Sequence, residues 1–399
     1  MQVLRYVAGV VVLSGSINPV QAADWSERLV NQIKRHPLVL QSEQRYEAAL
    51  ATQNAASQPL YNPELSASYD DKPDAAYAVS VSQQWDRSGL RTVKEQIGEI
   101  GARMAALEVQ RVGNDIAADT LRGLIEKRRA DTLLRLAAEQ YDITRNIVGL
   151  TEKRVAAGDI GELDLQLMRL AQTESLQALT NAENNQQRTH SQLKMLLGDT
   201  VIELPDGVSV IQEFEPDLDA FVDQLPVVLM SELRSQQAGL QVREARRSSK
   251  ANPTFGVGLG KDGNDNVLSF SVSVPLNIRN RYTAEIEAAE AERLAIDQSV
   301  RYTRVRAFTD LQRDWQTFLR YQNTPDKLQQ PRQRDLSQVN AQLKKLWRLG
   351  DMTTTSYLQN LQQRNTALIA EVEIDTEAAL SMVEWLRSSN QMLSWLKQQ

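Results

Sequence analysis

The chain has 399 residues, 42% of them hydrophobic and 24% charged, so it can bury a core and is not a disordered tail. It contains no cysteine and only two histidines, His36 and His190, which excludes a disulfide framework, a thiol nucleophile, a zinc–thiolate centre and a histidine-rich zinc protease site. A mean hydropathy of -0.42 is too polar for a helical membrane protein. A net charge of -6 is the opposite of the basic footprint that binds nucleic acid.

The chain opens with a targeting pattern. Arg5 is the only charged residue before Asp24, and the apolar run Tyr6 to Leu13 is too short to span a bilayer. Gly15, Asn18 and Pro19 then interrupt it, and Val20-Gln21-Ala22 follows. This order of charge, apolar run and small residues predicts a secretory signal peptide over residues 1–22, with cleavage after Ala22 or Ala23.

The remainder reads as two copies of one unit. Asn62-Pro63 recurs as Asn252-Pro253, an offset of 190. Ser80-Val81-Ser82 recurs as Ser271-Val272-Ser273, and Ala157-Gly158-Asp159-Ile160 as Leu349-Gly350-Asp351-Met352, offsets of 191 and 192. A shared order with nearly constant spacing predicts an internal duplication. The first repeat is placed at 23–197, an irregular acidic, proline-containing connector at 198–226, the second repeat at 227–392 and a short tail at 393–399.

Each copy begins with two short strands, over 63–69 and 76–84 in the first and 254–260 and 267–274 in the second. Apolar residues alternate with Ser or Gly along them, and Asp-, Asn- and Gly-rich turns separate them, the pattern of β-hairpins. Long helices follow. Val93, Ile97, Ile100, Met104 and Leu107 step by four and three, a heptad seam, and no proline occurs between Pro73 and Pro205. The sequence therefore predicts one helix from near Arg87 to Val155, about 100 Å long at 1.5 Å per residue. In the second copy Pro325 and Pro331 predict a kink or break. The reversals are placed at 156–161 and 348–353, around Gly158 and Gly350. A further helix over 227–250 returns the chain to the second pair of strands.

Four strands cannot close a barrel, and open strand edges are not tolerated in lipid. An apolar face opposite a Ser/Gly face is the lipid-out, water-in pattern of an outer-membrane strand, with Leu268, Phe270, Val272 and Val274 as the lipid-facing set of the last strand. Three copies supply a twelve-stranded barrel wide enough to hold water. A soluble coiled-coil scaffold with a packed hairpin is the competing reading of the same helices. A helical metal enzyme is disfavoured by the absence of Glu-x-x-His and of Cys.

Several segments resemble one family. His36-Pro37-Leu38 with Pro59 to Leu65, the tip phrases Ala157 to Leu165 and Leu349 to Leu358, and Leu193 to Gly198 together resemble the TolC-like outer-membrane factors. The resemblance implies a mainly α fold with short β: long antiparallel helical hairpins in a periplasmic α-barrel, and four strands per chain in a trimeric twelve-stranded outer-membrane β-barrel. It also implies a homotrimeric exit duct in the outer membrane of a Gram-negative bacterium, extending into the periplasm. Its partners would be a periplasmic adaptor and an inner-membrane resistance–nodulation–division transporter, with no catalytic residue, no metal and no cofactor. Multidrug efflux and type I secretion are other duties found in that family. Val274-Pro-Leu-Asn-Ile-Arg-Asn-Arg281 and the Glu-rich start of the next helix are similar to its heavy-metal, CzcC-like branch, which usually carries Gln-Gly after the Arg-Asn pair, where this chain continues Arg281-Tyr282-Thr283.

The candidate residues follow. Arg154, Gly158 and Asp159 on one turn, with Arg348, Gly350 and Asp351 on the other, are expected to dock the adaptor. Glu162, Asp164, Ser356 and Gln359 are expected near the periplasmic aperture, although acids at a helix start equally suit an ordinary solvated helix end. Trp315, Trp347, Trp385 and Trp395 lie at helical spacing and are read as packing.

Overall fold

The computed structural model describes residues 19–71, 76–205, 216–322 and 336–399, with the side chains of 19–24 and 336–341 left aside. Most of the expected leader, the turn residues 72–75, residues 206–215 of the expected connector at 198–226, and the proline pair Pro325 and Pro331 lie outside these residues. In chain order the elements are α1 (Pro19–Lys34), α2 (Pro37–Ser57), β1 (Glu64–Asp70), β2 (Ala76–Gln84), α3 (Leu90–Ala156), α4 (Glu162–Leu197), α5 (Leu218–Val222), α6 (Pro226–Ser248), β3 (Thr254–Asp262), β4 (Asp265–Ser273), α7 (Thr283–Gln322), α8 (Leu336–Leu349), α9 (Thr354–Ser388) and α10 (Met392–Leu396). No described helix is long and apolar enough to cross a membrane. Pro19, expected to interrupt a helix, stands instead at the start of α1, where its missing N–H costs nothing.

The compact units do not coincide with the two copies. One gathers Met1–His36, Gly113–Leu218 and Thr309–Gln399; the other gathers Pro37–Val112 and Asp219–Phe308. Each draws on both repeats, because a helix with one apolar stripe must bury it against the matching stripe of the other copy.

In the second unit the heptad seam packs as its spacing requires. Val93, Ile100 and the α6 residue Leu240 are buried together, with Ile97, Met104 and Leu233 against them. The start of α3 is held by Asp86, whose carboxylate accepts from the N–H groups of Leu90 (3.2 Å) and Arg91 (3.0 Å) and from the Ser88 hydroxyl (2.7 Å). Burial alone would raise the pKa of this group, but those hydrogen bonds outweigh it and hold the carboxyl below its ordinary range. A depressed folded pKa contributes stability that is present above the unfolded value and lost as pH falls through the folded one. Asp86→Ala should therefore cost about 1 kcal/mol in denaturant melts at neutral pH, and the difference from the parent should shrink below about pH 4. An unchanged difference at low pH would show that the charge is not what caps α3.

In the first unit, Asn114 is buried with both ends of its amide engaged. Its Nδ2 donates to the Arg387 carbonyl (3.1 Å), and its Oδ1 accepts from the N–H of Met392 (3.0 Å). The expected tail is thus packed: Met392 and Leu396 of α10 are buried, and Trp395 meets Trp25 edge-on at 6.5 Å. Trp315 and Trp385 are buried 4.7 Å apart, so these tryptophans are core residues.

The sheet has the order β1-β2-β3-β4, antiparallel throughout, so β1 and β4 are its edges within the chain. Its register sorts the side chains. Leu65, Val81, Val257 and Phe270 form one row across all four strands, and Ala67, Val79, Leu259 and Leu268 the next. On the opposite face the rows read Ser66, Ser80, Gly258, Ser269 and Glu64, Ser82, Gly256, Ser271.

Candidate functional site

The two faces of the sheet differ physically as well as chemically. A Cβ built on Gly258 would lie 2.7 Å from Ser269 Oγ and 2.9 Å from Ser80 Cβ. Cross-strand Cβ atoms ordinarily stand about 4.5–5.5 Å apart, so the sheet curves toward its Ser/Gly face. Gly256 and Gly258 leave no room for a Cβ on that concave side. The convex side carries the apolar rows, and all of its large side chains are exposed: Leu65, Val81, Val257, Leu259 and Leu268, with Phe270 at 77%. Of the expected lipid-facing residues, Leu268, Phe270 and Val272 lie on β4 and Val274 immediately follows it, all exposed. In the isolated chain β4 is exposed on both faces, being an edge strand.

The second candidate region is the pair of reversals. Both are built alike. Gly158 has φ +76 and Gly350 φ +82, the left-handed region where glycine is preferred. Asp159 N–H donates to the Arg154 carbonyl (2.9 Å) and Gly158 N–H to that of Val155 (3.0 Å). Asp351 N–H likewise donates to the Leu346 carbonyl (3.0 Å) and Gly350 N–H to that of Trp347 (3.2 Å). This paired capping satisfies carbonyls that a helix end would otherwise leave open. Gly158, Asp159, Gly350, Asp351 and Arg348 are exposed.

The two hairpins share one core beside these turns. Ile147, Val148, Leu165, Met168, Trp347, Tyr357 and Leu361 are buried together, joining the end of α3, the start of α4, the end of α8 and the start of α9. Trp347, at 1% exposure, stacks on Tyr357 with centroids 5.2 Å apart and planes 10° apart. Burial pushes the Tyr357 hydroxyl pKa up. Arg154 is not free at the surface. It lies half-buried over the Trp347 ring at 5.6 Å and donates from Nη1 to the Trp347 carbonyl (3.3 Å), which ties one hairpin to the other. Sequence reading paired Arg154 with Arg348 as matching tip residues; the structure separates them into one that stitches the hairpins and one that is exposed. It also adds Tyr357 to the site. The signal for that pair was present: aromatic residues three before and seven after Gly350 face each other across a tight helix reversal.

Of the four expected aperture residues, Glu162 and Asp164 lie in the first turn of α4, Ser356 in the first turn of α9 and Gln359 in its second. Glu162 accepts from Gln166 Nε2 (3.0 Å), and Glu162 and Asp164 suit the positive end of α4. Ser356 is engaged in capping: its N–H donates to Thr353 Oγ1 (3.2 Å), the N-cap of α9. Gln359 is exposed. Among the described residues no three His, Cys, Asp or Glu side chains group as metal ligands.

No protein-family model and no curated protein matches the chain. Solved structures do match it along nearly its full length. The outer-membrane channel OprN is similar with a TM-score of 0.79 at 16% identity, over 94% of this chain and 92% of that one. The CusC structure, described for its folding and transmembrane channel formation, gives 0.74 at 13% over 92% of each chain. The MtrE outer-membrane channel of Neisseria gonorrhoeae, in its open state, gives 0.72 at 14% over 97% of this chain and 96% of that one. The mainly helical chain with its four-stranded antiparallel sheet has the fold of these outer-membrane channels.

Proposed function

We propose that the protein is a passive outer-membrane exit duct of a tripartite efflux pump. One observation carries this reading: an open four-stranded sheet whose convex face is apolar and exposed while its concave face is Ser and Gly. An exposed apolar surface of this extent has no place in water, and unpaired edges have no place in lipid. Both problems vanish if β4 of one chain pairs with β1 of the next, and three copies close twelve strands around a water-filled lumen. From the Tyr77 row to Trp85 is about 26 Å along the strand, which after a tilt of roughly 40° covers most of the apolar band of an outer-membrane barrel.

In this reading the turns at Gly158 and Gly350 meet a periplasmic adaptor, which joins the duct to an inner-membrane transporter of the resistance–nodulation–division class. The acids Glu162 and Asp164, with Ser356 and Gln359, stand at the aperture. Heavy-metal cations are the proposed substrate, supported by the similarity of Val274 to Arg281 to the metal branch. Substrate moves because the transporter spends a gradient; the duct supplies a path.

Mass measurement of the detergent-purified protein should give a homotrimer. A stable monomer with native strand content would overturn the barrel. Deleting the protein from its host should raise cellular accumulation of transition-metal cations; normal metal levels with raised retention of organic drugs would move the substrate assignment to the multidrug class.

A further inference from the structure

The ends of the strands nearest the helices carry charge that the duct function does not use. Hydrogen bonds draw four segments together there. Trp85 N–H donates to the Pro253 carbonyl (2.9 Å), Ser88 N–H to Asn252 Oδ1 (3.1 Å), Asn252 Nδ2 to the Tyr61 hydroxyl (3.1 Å) and Asn277 Nδ2 to the Ser249 carbonyl (2.5 Å). Beside these anchors stand Arg87, Arg91, Lys250, Arg279 and Arg281, all exposed. Among the described residues none of the five side chains makes an ion pair. Of the acids close in sequence, Asp86 caps α3, Glu285 accepts from Asn280 Nδ2 (3.3 Å) and Glu290 pairs with Arg246, while Glu95 lies four residues after Arg91 on α3. Glu64 stands on the concave face.

Just above this collar the convex surface is apolar and aromatic. Trp85 is 60% exposed and packs on Phe255 at 6.5 Å, which places it on the face of the apolar rows. Leu276 and Ile278 follow β4 and are more exposed still. At the other end of the sheet the signs reverse: Asp70, Asp71, Asp262 and Asp265 stand with Lys261 as the described cation. Apolar side chains, an interfacial tryptophan and then unpaired arginines is the order in which a bilayer presents acyl chains, interface and phosphate.

We propose that this collar is a docking surface for anionic phospholipid headgroups of the periplasmic leaflet, with the acyl chains lying on the Trp85–Phe255–Leu276 surface. The proposal rests on the barrel reading, which puts the convex face in lipid. Each basic residue near an anionic surface gains by charge attraction, and five together select an anionic over a zwitterionic headgroup. The acidic hairpin end has the wrong sign to do the same, so the collar also fixes which way round the barrel sits.

The test reconstitutes the full-length protein into phosphatidylcholine vesicles containing phosphatidylglycerol. Contact lipid is read by quenching of tryptophan fluorescence with brominated phosphatidylglycerol or brominated phosphatidylcholine at matched composition. The parent should prefer phosphatidylglycerol by roughly threefold or more, and the preference should fall at high salt. The variant carrying Arg87→Gln, Arg91→Gln, Lys250→Gln, Arg279→Gln and Arg281→Gln should lose the preference yet be quenched by phosphatidylcholine as before. If that variant does not fold, Arg279→Gln with Arg281→Gln, in the segment after β4, should reduce the preference part way. No preference in the inserted parent, or a preference untouched by either variant and by salt, overturns the proposal while leaving the barrel intact. Absence of quenching by either lipid, with the protein outside the vesicles on flotation, overturns the barrel reading itself.

Discussion

Phe270→Arg should reduce the yield of membrane-inserted protein by an order of magnitude or more, whereas Ser271→Arg should leave most of it. The residues are neighbours on β4, so local strand propensity and position along the chain are nearly matched. They differ in face. Phe270 closes the row Leu65, Val81, Val257 on the convex side and is 77% exposed. An Arg held against hydrocarbon near the membrane midplane costs about 2–4 kcal/mol, once per chain and therefore three times in a trimer. Ser271 lies in the row of Glu64, Ser82 and Gly256 on the concave side. An Arg there keeps its Cγ near the place of the serine oxygen and extends its guanidinium toward the proposed aqueous lumen. The measurement is the heat-modifiable trimer recovered from outer-membrane fractions. Equal losses for both variants would mean that the convex face does not meet lipid.

Gly350→Trp should abolish export while trimer yield and insertion stay near the parental level. The geometry around Gly350 makes this separation possible. A Cβ there meets nothing within 4 Å, so the new side chain has room. What it costs is the left-handed backbone at φ +82, roughly 1–2 kcal/mol for an L-residue, small beside the core shared by the two hairpins. What it does is cover the exposed turn with an indole just where a partner helix is proposed to pack. A docking contact that buries little area depends on few residues, and losing one suffices to break it. Trp347→Ala, three residues earlier, supplies the contrast. It removes a 1%-exposed side chain that stacks on Tyr357 and carries Arg154, and such deletions cost about 3–5 kcal/mol. Yield and export should fall together for that variant. Export that survives Gly350→Trp at normal expression would remove the turn from the docking surface; loss of the trimer would make Gly350 a folding residue.

Much of this was legible in the residues. Alternation of Tyr77, Val79 and Val81 with Ala78, Ser80 and Ser82 dictates a strand with two unlike faces, because the side-chain period of a strand is two. The run from Leu90 to Ala156 without proline, with a seam at Val93, Ile97 and Ile100, dictates one long helix. A glycine followed by aspartate after such a helix dictates a left-handed cap and a reversal. These are local consequences of backbone geometry and need no partner.

The rest depended on which surfaces meet. Periodicity shows that α3 has an apolar stripe, but not that its two ends are covered by different sets of helices, each drawn from both repeats. It shows that Arg154 and Arg348 both precede a turn, but not that only Arg154 reaches the Trp347 ring. Nor does spacing tell Trp347 from other helical tryptophans, since its role comes from Tyr357 arriving opposite it after the reversal. The direction of the sheet's curvature is likewise tertiary: Gly256 and Gly258 permit it, and contact with Ser271 and Ser269 fixes it. Local sequence determined the elements and their faces through fixed backbone periods. Tertiary structure decided the pairings, because contact between residues far apart in the chain depends on packing that no local period encodes.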